Sequence, residues 1–204
     1  MSNLAIPYWE ERFSVGSEHH SNQNSQISKD FIINMSMQVD QLFHSSFSIL
    51  EVGCGTGELS KFLKEKYNKK TLGTDFSEFA IKFANEHYAD DVLKFKQLDL
   101  LNDNFEENYD IAICSNTLEH FTNPYILLDK ILQHSPICVV LVPYNQPCTD
   151  GREFEGGAGH VFQFNEKSFE RYNILNSFMF KTDGWQHSSC GEEPLQYVIT
   201  IKNK

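Results

Sequence analysis

The stretch Ile49-Leu50-Glu51-Val52-Gly53-Cys54-Gly55-Thr56-Gly57-Glu58-Leu59 constrains this chain more than any other. A short apolar run followed by three glycines at alternate positions, and then by a helical pattern, describes a strand that ends in a tight turn and enters a helix. Such turns need residues tolerant of positive φ, and they leave bare backbone against which a ligand can lie. A dinucleotide fingerprint would place its third glycine one residue later, where this chain has Glu58.

From Phe47 onward short strand-like runs alternate with amphipathic helices, the pattern of a parallel sheet covered on both faces. The second strand is Thr71-Leu72-Gly73-Thr74 and ends in Asp75; Ser77 is positioned to cap the helix that follows. The third runs from Val92 to Leu98 and ends in Asp99, and the fourth, Tyr109 to Cys114, ends in Ser115-Asn116. Asn123-Pro124 opens a helix with Leu127, Leu128, Ile131 and Leu132 as its buried stripe. Strand five, Ile137 to Val142, is a continuous β-branched run expected of a strand buried on both faces, and it stops at Pro143.

Tyr144 to Phe164 has no sustained period and holds Gly151, Gly156, Gly157 and Gly159, so it reads as a substrate lid. Glu166 to Tyr172 reads as a short helix. A strand around Phe178 to Thr182, a turn at Asp183-Gly184, a polar loop through Pro194 and a strand from Leu195 to Lys202 close the chain as an antiparallel pair. Upstream, Ser14 to Ser28 reads as a loop and about Ser28 to Phe43 as one helix, with Ile32, Met35, Val39 and Leu42 in register. The expected fold is α/β: a doubly wound, mostly parallel seven-stranded sheet with an antiparallel C-terminal strand, in one domain over residues 1–204.

In an open parallel sheet, ligands bind beyond the carboxyl ends of the strands where the strand order reverses. Four such ends carry the glycine loop, Asp75, Asp99 and Ser115-Asn116, so these groups can converge on one crevice. Asp75 follows Gly53 by 22 residues, near the spacing at which an acid meets a ribose, and its two oxygens suit a vicinal diol.

The Gly-x-Gly-x-Gly loop preceded by Glu51, with these strand-end acids, resembles the class I S-adenosylmethionine-dependent methyltransferases. The resemblance covers Phe47 to the last strand. It implies that S-adenosylmethionine is the cofactor, held at Gly53, Cys54, Gly55 and Gly57, with Asp75 and Phe76 at the ribose. It also implies Asp99 at the adenine amino group, Leu98 or Leu100 on the ring, and Glu51 beneath the methionine ammonium. Ser115, Asn116 and His120 complete the implied wall. The opening Tyr8-Trp9-x-x-Arg12-Phe13 is similar to the start of many small methyltransferases, implying an N-terminal flap (residues 1–43 with the helix behind it) that closes over the cofactor and contributes little to the core; the equal alternative is that Tyr8 and Trp9 cap a core edge. Glu119-His120 and Val142-Pro143-Tyr144 bring the chain closest to bacterial enzymes acting on small molecules or glycan precursors.

A sulfonium is already a strong methyl donor, so the protein has to align the nucleophile and exclude water. A hydroxyl acceptor must also lose a proton. His160 in the lid, His120 past strand four, and Tyr144 are the candidate catalytic residues, His160 first. Asn116-x-x-Glu119-His120 partly resembles the acidic metal site of ubiquinone-pathway O-methyltransferases; Asn116 is a poor hard-cation ligand where that site has Glu, and no metal is expected. Amine N-methylation, or cofactor binding without catalysis, are the alternatives to O-methyl transfer. Glu58 in the loop argues against a nicotinamide oxidoreductase.

A net charge of -11, from 17 basic against 28 acidic residues, argues against a nucleic-acid partner. The expected partner is a small-molecule acceptor; no apolar run suggests a membrane span. Five scattered cysteines without metal spacing, and an N-terminus unlike a signal peptide, point to the cytoplasm. The sequence leaves the oligomeric state open.

Overall fold

In a computed structural model of the chain, residues 5–15, 22–145, 160–182 and 195–203 are described, the side chains of 5–8 and 22–25 excepted. Three helices, α1 (Ala5–Ser14), α2 (Asn22–Asn34) and α3 (Met37–Ser45), precede an alternating series. It runs β1 (Ser48–Val52), α4 (Glu58–Tyr67), β2 (Lys70–Asp75), α5 (Glu78–Tyr88), β3 (Leu93–Gln97), β4 (Ile111–Ser115), α6 (Pro124–His134) and β5 (Ile137–Pro143). The hairpin β6 (Asn173–Lys181) and β7 (Leu195–Lys202) ends it.

The seven strands lie in the order β3-β2-β1-β4-β5-β7-β6. β1 to β5 are parallel, and β7 enters between β5 and β6 antiparallel to both. The order reverses between β1 and β4, which opens a crevice beyond their carboxyl ends. Alternation along the central strands sorts the core into two layers. Leu50, Val52, Ala112, Cys114, Val140 and Val142 face the α6 side with Leu127 and Ile131, whereas Ile49, Ile111, Ile113, Val139 and Leu141 face α2, α3 and α4. The fold is the one expected from the alternating pattern.

Four local expectations are corrected. The stretch read as one helix from Ser28 is two. Ser36 caps α3, its hydroxyl accepting the Val39 N–H (3.4 Å), and the apolar period runs unbroken across the cap. The polar stretch Ser14–Ser28 is not all loop, because α2 begins at Asn22; its helical character hides in Asn, Gln and Ser, which favour turns when read locally. β6 starts five residues before the expected Phe178. It is an edge strand with an irregularity between Ile174 and Asn176, so its exposure lacks a clean alternation. Where a short helix was expected over Glu166–Tyr172, the chain makes one 3-10 turn, Glu166–Phe169, capped by Asn165. Most of the expected lid, and the 183–194 turn and loop, lie outside the described residues.

The N-terminal segment is docked. Phe13 is buried, and Glu10 accepts from the Ser77 hydroxyl (3.0 Å) and the Glu78 N–H (3.2 Å) at the start of α5. A flap contributing little to the core is therefore not what is seen. Burial of one Phe contributes roughly 1.5–3 kcal/mol. Deleting residues 1–13 is expected to lower the melting temperature of the unliganded protein by roughly 3–12 °C, at about 2–4 °C per kcal/mol for a chain this size. An unchanged melting temperature in a calorimetric scan would show that the segment is only loosely attached.

Candidate active site

The glycine loop is fixed from below. The N–H groups of Gly53 and Cys54 both donate to the Thr74 carbonyl at the end of β2 (2.8 and 2.9 Å). Gly53 has φ +72°, and a Cβ there would lie 2.2 Å from Thr117 Oγ1, so the position excludes any side chain on two counts. Gly57, at φ +89°, closes the loop as the residue before α4, with Phe95 and Ala84 packed where its Cβ would be. It serves the turn and the packing and does not line the pocket, unlike Gly53 and Gly55.

Asp75 is the loop's second anchor. Its two oxygens accept the Gly55 N–H (2.9 Å) and the Ser77 N–H (3.0 Å), so the carboxylate joins the glycine loop to the start of α5. Burial pushes its pKa up to about 6 against these two hydrogen bonds. Glu51, on β1, is buried beneath the loop and accepts from the Ser60 hydroxyl. Burial is the largest influence there too, reinforced by Glu58 and Asp75, and lifts the carboxyl to about 8.

One pocket collects these groups at the switch in strand order. Of the residues anticipated from sequence, Trp9, Glu51, Gly53, Cys54, Gly55, Asp75, Phe76, Leu98, Asp99, Leu100, Ser115, Asn116 and His120 line it. Asp99 also organises its own turn, accepting from Leu101 N–H (3.0 Å) and Asn102 Nδ2 (2.7 Å). Asn116 sits at φ +47° and donates its N–H to the Leu141 carbonyl (2.9 Å), which turns the chain away from β4 at the pocket wall. The Tyr8 side chain lies outside the described residues. Tyr144 is not at the pocket: its hydroxyl bonds Glu166, its ring packs on Tyr197 at 5.9 Å, and its place among the catalytic candidates is withdrawn.

Sequence reading missed several lining residues. Ile27 lies in the part of α2 it took for a loop and Ser28 at the boundary it drew, and Thr117 carries no local signal because only the close approach to Gly53 gives it a role. Phe13 lies over the loop, 3.6 Å from where a Gly55 Cβ would be. A capping search at Ser36 would have found the start of α3; nothing local would have found Thr117.

At one end of the pocket the 3-10 turn Leu118–His120 meets the chain as it returns at His160. The His120 ring lies 5.0 Å from Trp9 on one side and 5.2 Å from His160 on the other. Glu119, His120 and His160 are all buried, and burial lifts the Glu119 carboxyl to about 8. The two histidine candidates are thus neighbours, although 40 residues separate them in sequence.

Comparison with known proteins agrees with this geometry. Residues 50–135 match the family profile described as a methyltransferase domain. Over 90 residues the chain is 28% identical to a malonyl-[acyl-carrier protein] O-methyltransferase of Acetivibrio thermocellus, covering 44% of this chain and 32% of that protein. Over 129 residues it is 31% identical to a ubiquinone biosynthesis O-methyltransferase of Hydrogenovibrio crunogenus, covering 60% and 48%. The chain thus spans about a third to a half of the length of these curated relatives. The solved complex of DhpI with SAH superposes at a TM-score of 0.68 with 14% identity, over 97% of this chain and 94% of that one, which shows a common fold. The sheet order, the glycine loop and the methyltransferase-domain match over residues 50–135 together support reading the chain as a class I S-adenosylmethionine-dependent methyltransferase.

Proposed function

We propose that the protein transfers a methyl group from S-adenosylmethionine to an oxygen of a small molecule. The observation that carries the reading is the delivery of Glu51, the glycine loop, Asp75, Asp99 and Asn116 by four successive parallel strands to a single pocket. The residues fit the cofactor: the loop leaves backbone bare, Asp75 and Asp99 offer acceptors for hydroxyl and amino groups, and buried Glu51, bonded to Ser60 and near the acids Glu58 and Asp75, has no cationic partner among the described residues, where an ammonium would be its counter-charge. Oxygen as the accepting atom is supported by two relatives named as O-methyltransferases.

When bound, S-adenosylmethionine supplies a methyl group already activated by its sulfonium. The chain's own part is positional. Glu51, Asp75 and Asp99 fix the donor, Trp9 and Phe13 cover the pocket and exclude water, and the acceptor lies at the His120 end. Its proton leaves on the side where His160, or His120, stands. Isotope-labelled S-adenosylmethionine with a panel of hydroxyl, carboxyl and amine acceptors tests the reading. Label appearing in an oxygen ester or ether supports it, label in amines alone moves the acceptor to nitrogen, and tight binding with no transfer to any acceptor would leave a binding module.

Glu51 makes the cofactor assignment testable by pH. Its carboxyl titrates near 8 in the fold against about 4.3 in an unfolded chain, so the fold holds a proton that the unfolded chain releases. That contribution to stability is complete below about pH 4.3 and is lost as pH rises through about 8. A ligand ammonium favours the carboxylate instead. Affinity for S-adenosylmethionine is therefore expected to rise with pH toward 8, by up to about tenfold per unit, with release of one proton on binding. Calorimetry in buffers of different ionisation enthalpy counts that proton, and Glu51→Gln should abolish both effects. A wild-type protein with pH-independent affinity and no proton release would remove Glu51 from the ammonium site.

A further inference from the structure

The carboxyl of Glu119 is almost wholly enclosed, 1% exposed, and among the described residues neither of its oxygens has a hydrogen-bond partner. The nearest cationic candidate, His160 Nε2, is 3.9 Å from Oε1, beyond hydrogen-bond length. Leaving a buried polar group unpaired is costly, and a buried carboxyl whose pKa is raised by its burial, with two imidazoles within reach, is a group that a bound cation would ionise and satisfy. One ligand atom from each of Glu119, His120 and His160 lies within 4.8 Å of the others.

The two segments that bring them together are already joined. The main-chain carbonyl of Glu119 accepts the N–H groups of Val161 (2.8 Å) and Phe162 (3.1 Å). Metal bonds of about 2.0–2.2 Å in a tetrahedral site set donor separations of about 3.3–3.6 Å, so the three donors must draw closer on binding.

We propose that Glu119, His120 and His160 bind one divalent transition-metal ion, of the zinc or cobalt type, at the wall of the pocket. The donor set decides the class: two imidazoles and one carboxylate suit borderline ions, whereas magnesium and calcium take oxygen ligands. Asn116, which led the sequence reading to expect no metal, is not in the set, and the third donor comes from a segment far along the chain. Three protein ligands leave a further coordination position. Because His120 also lines the pocket, the ion stands one side chain away from the acceptor's end. Its role rests on the methyl-transfer reading: an acceptor hydroxyl held by the ion gives up its proton to water more readily, and the imidazoles then act as ligands instead of taking the proton themselves.

The test uses the full chain stripped of metal by chelation. Titration with cobalt(II), followed by visible absorption, is expected to give a one-to-one endpoint, and zinc(II) a matching calorimetric one. Glu119→Gln and His160→Ala should each weaken binding by more than the roughly 10–100-fold that loss of an outer-sphere partner costs. Failure of the wild-type protein to bind cobalt or zinc overturns the proposal, as does binding that survives both substitutions or a preference for magnesium. Calorimetry with S-adenosylmethionine on the same stripped sample separates the two readings. Cofactor binding without cobalt binding overturns the ion site and leaves the methyltransferase; cobalt binding without cofactor binding does the reverse.

Discussion

His160→Ala is expected to lower methyl-transfer turnover by about two to four decades, the range over which a positioned proton-handling side chain contributes. His160 is buried, it faces Glu119 and the His120 ring, and it is not among the residues lining the pocket where the cofactor is proposed to bind. Its removal should thus act on the chemical step and leave cofactor affinity unchanged. The loss is expected whether the imidazole handles the proton alone or serves as one of three ligands. His120→Ala differs, because that ring also lines the pocket and packs against Trp9; there turnover and cofactor affinity should fall together. Single-turnover kinetics with calorimetry checks both variants. Full turnover in both would exclude a histidine role and leave an acceptor that arrives already deprotonated.

Asp75→Ala is expected to weaken S-adenosylmethionine binding by at least one to two decades. Charge-assisted hydrogen bonds typically contribute about 1.5–3 kcal/mol, which corresponds to roughly that range. The structure adds to it, since the same carboxylate holds the Gly55 and Ser77 N–H groups and its loss also loosens the loop. Asp75→Asn keeps one oxygen acceptor and should lose less than Asp75→Ala. Calorimetry on folded variants decides the matter, and an unchanged dissociation constant for Asp75→Ala would overturn the cofactor assignment.

What could be read in the sequence was what local chemistry fixes. The glycine loop, the capping Ser77 and the buried run of β5 each announce themselves within a few residues, and the strand-end acids follow from the parallel order. What escaped depends on contacts between distant segments. Ser36 breaks a helix whose apolar stripe continues past the break, β6 is exposed along an edge, and Tyr144 turns toward Glu166 and Tyr197. The Glu119–His120–His160 grouping is of this second kind: two of its members are adjacent, and only the return of the chain after β5 supplies the third.

The reversed strand β7 has a consequence for how such a protein can change. Because β7 runs against β5 and β6, its first residue Leu195 and the last residues of β5 and β6 share one rim of the sheet; the Tyr144 N–H donates to the Leu195 carbonyl there (2.8 Å). The two connections leaving Asn145 and Thr182 therefore both depart from the rim that carries the glycine loop, yet on the opposite flank from β2 and β3. Length and composition can drift in those connections while the wall built by β1 to β4 stays as it is. One donor-binding half can thus be inherited intact by descendants that take up quite different acceptors.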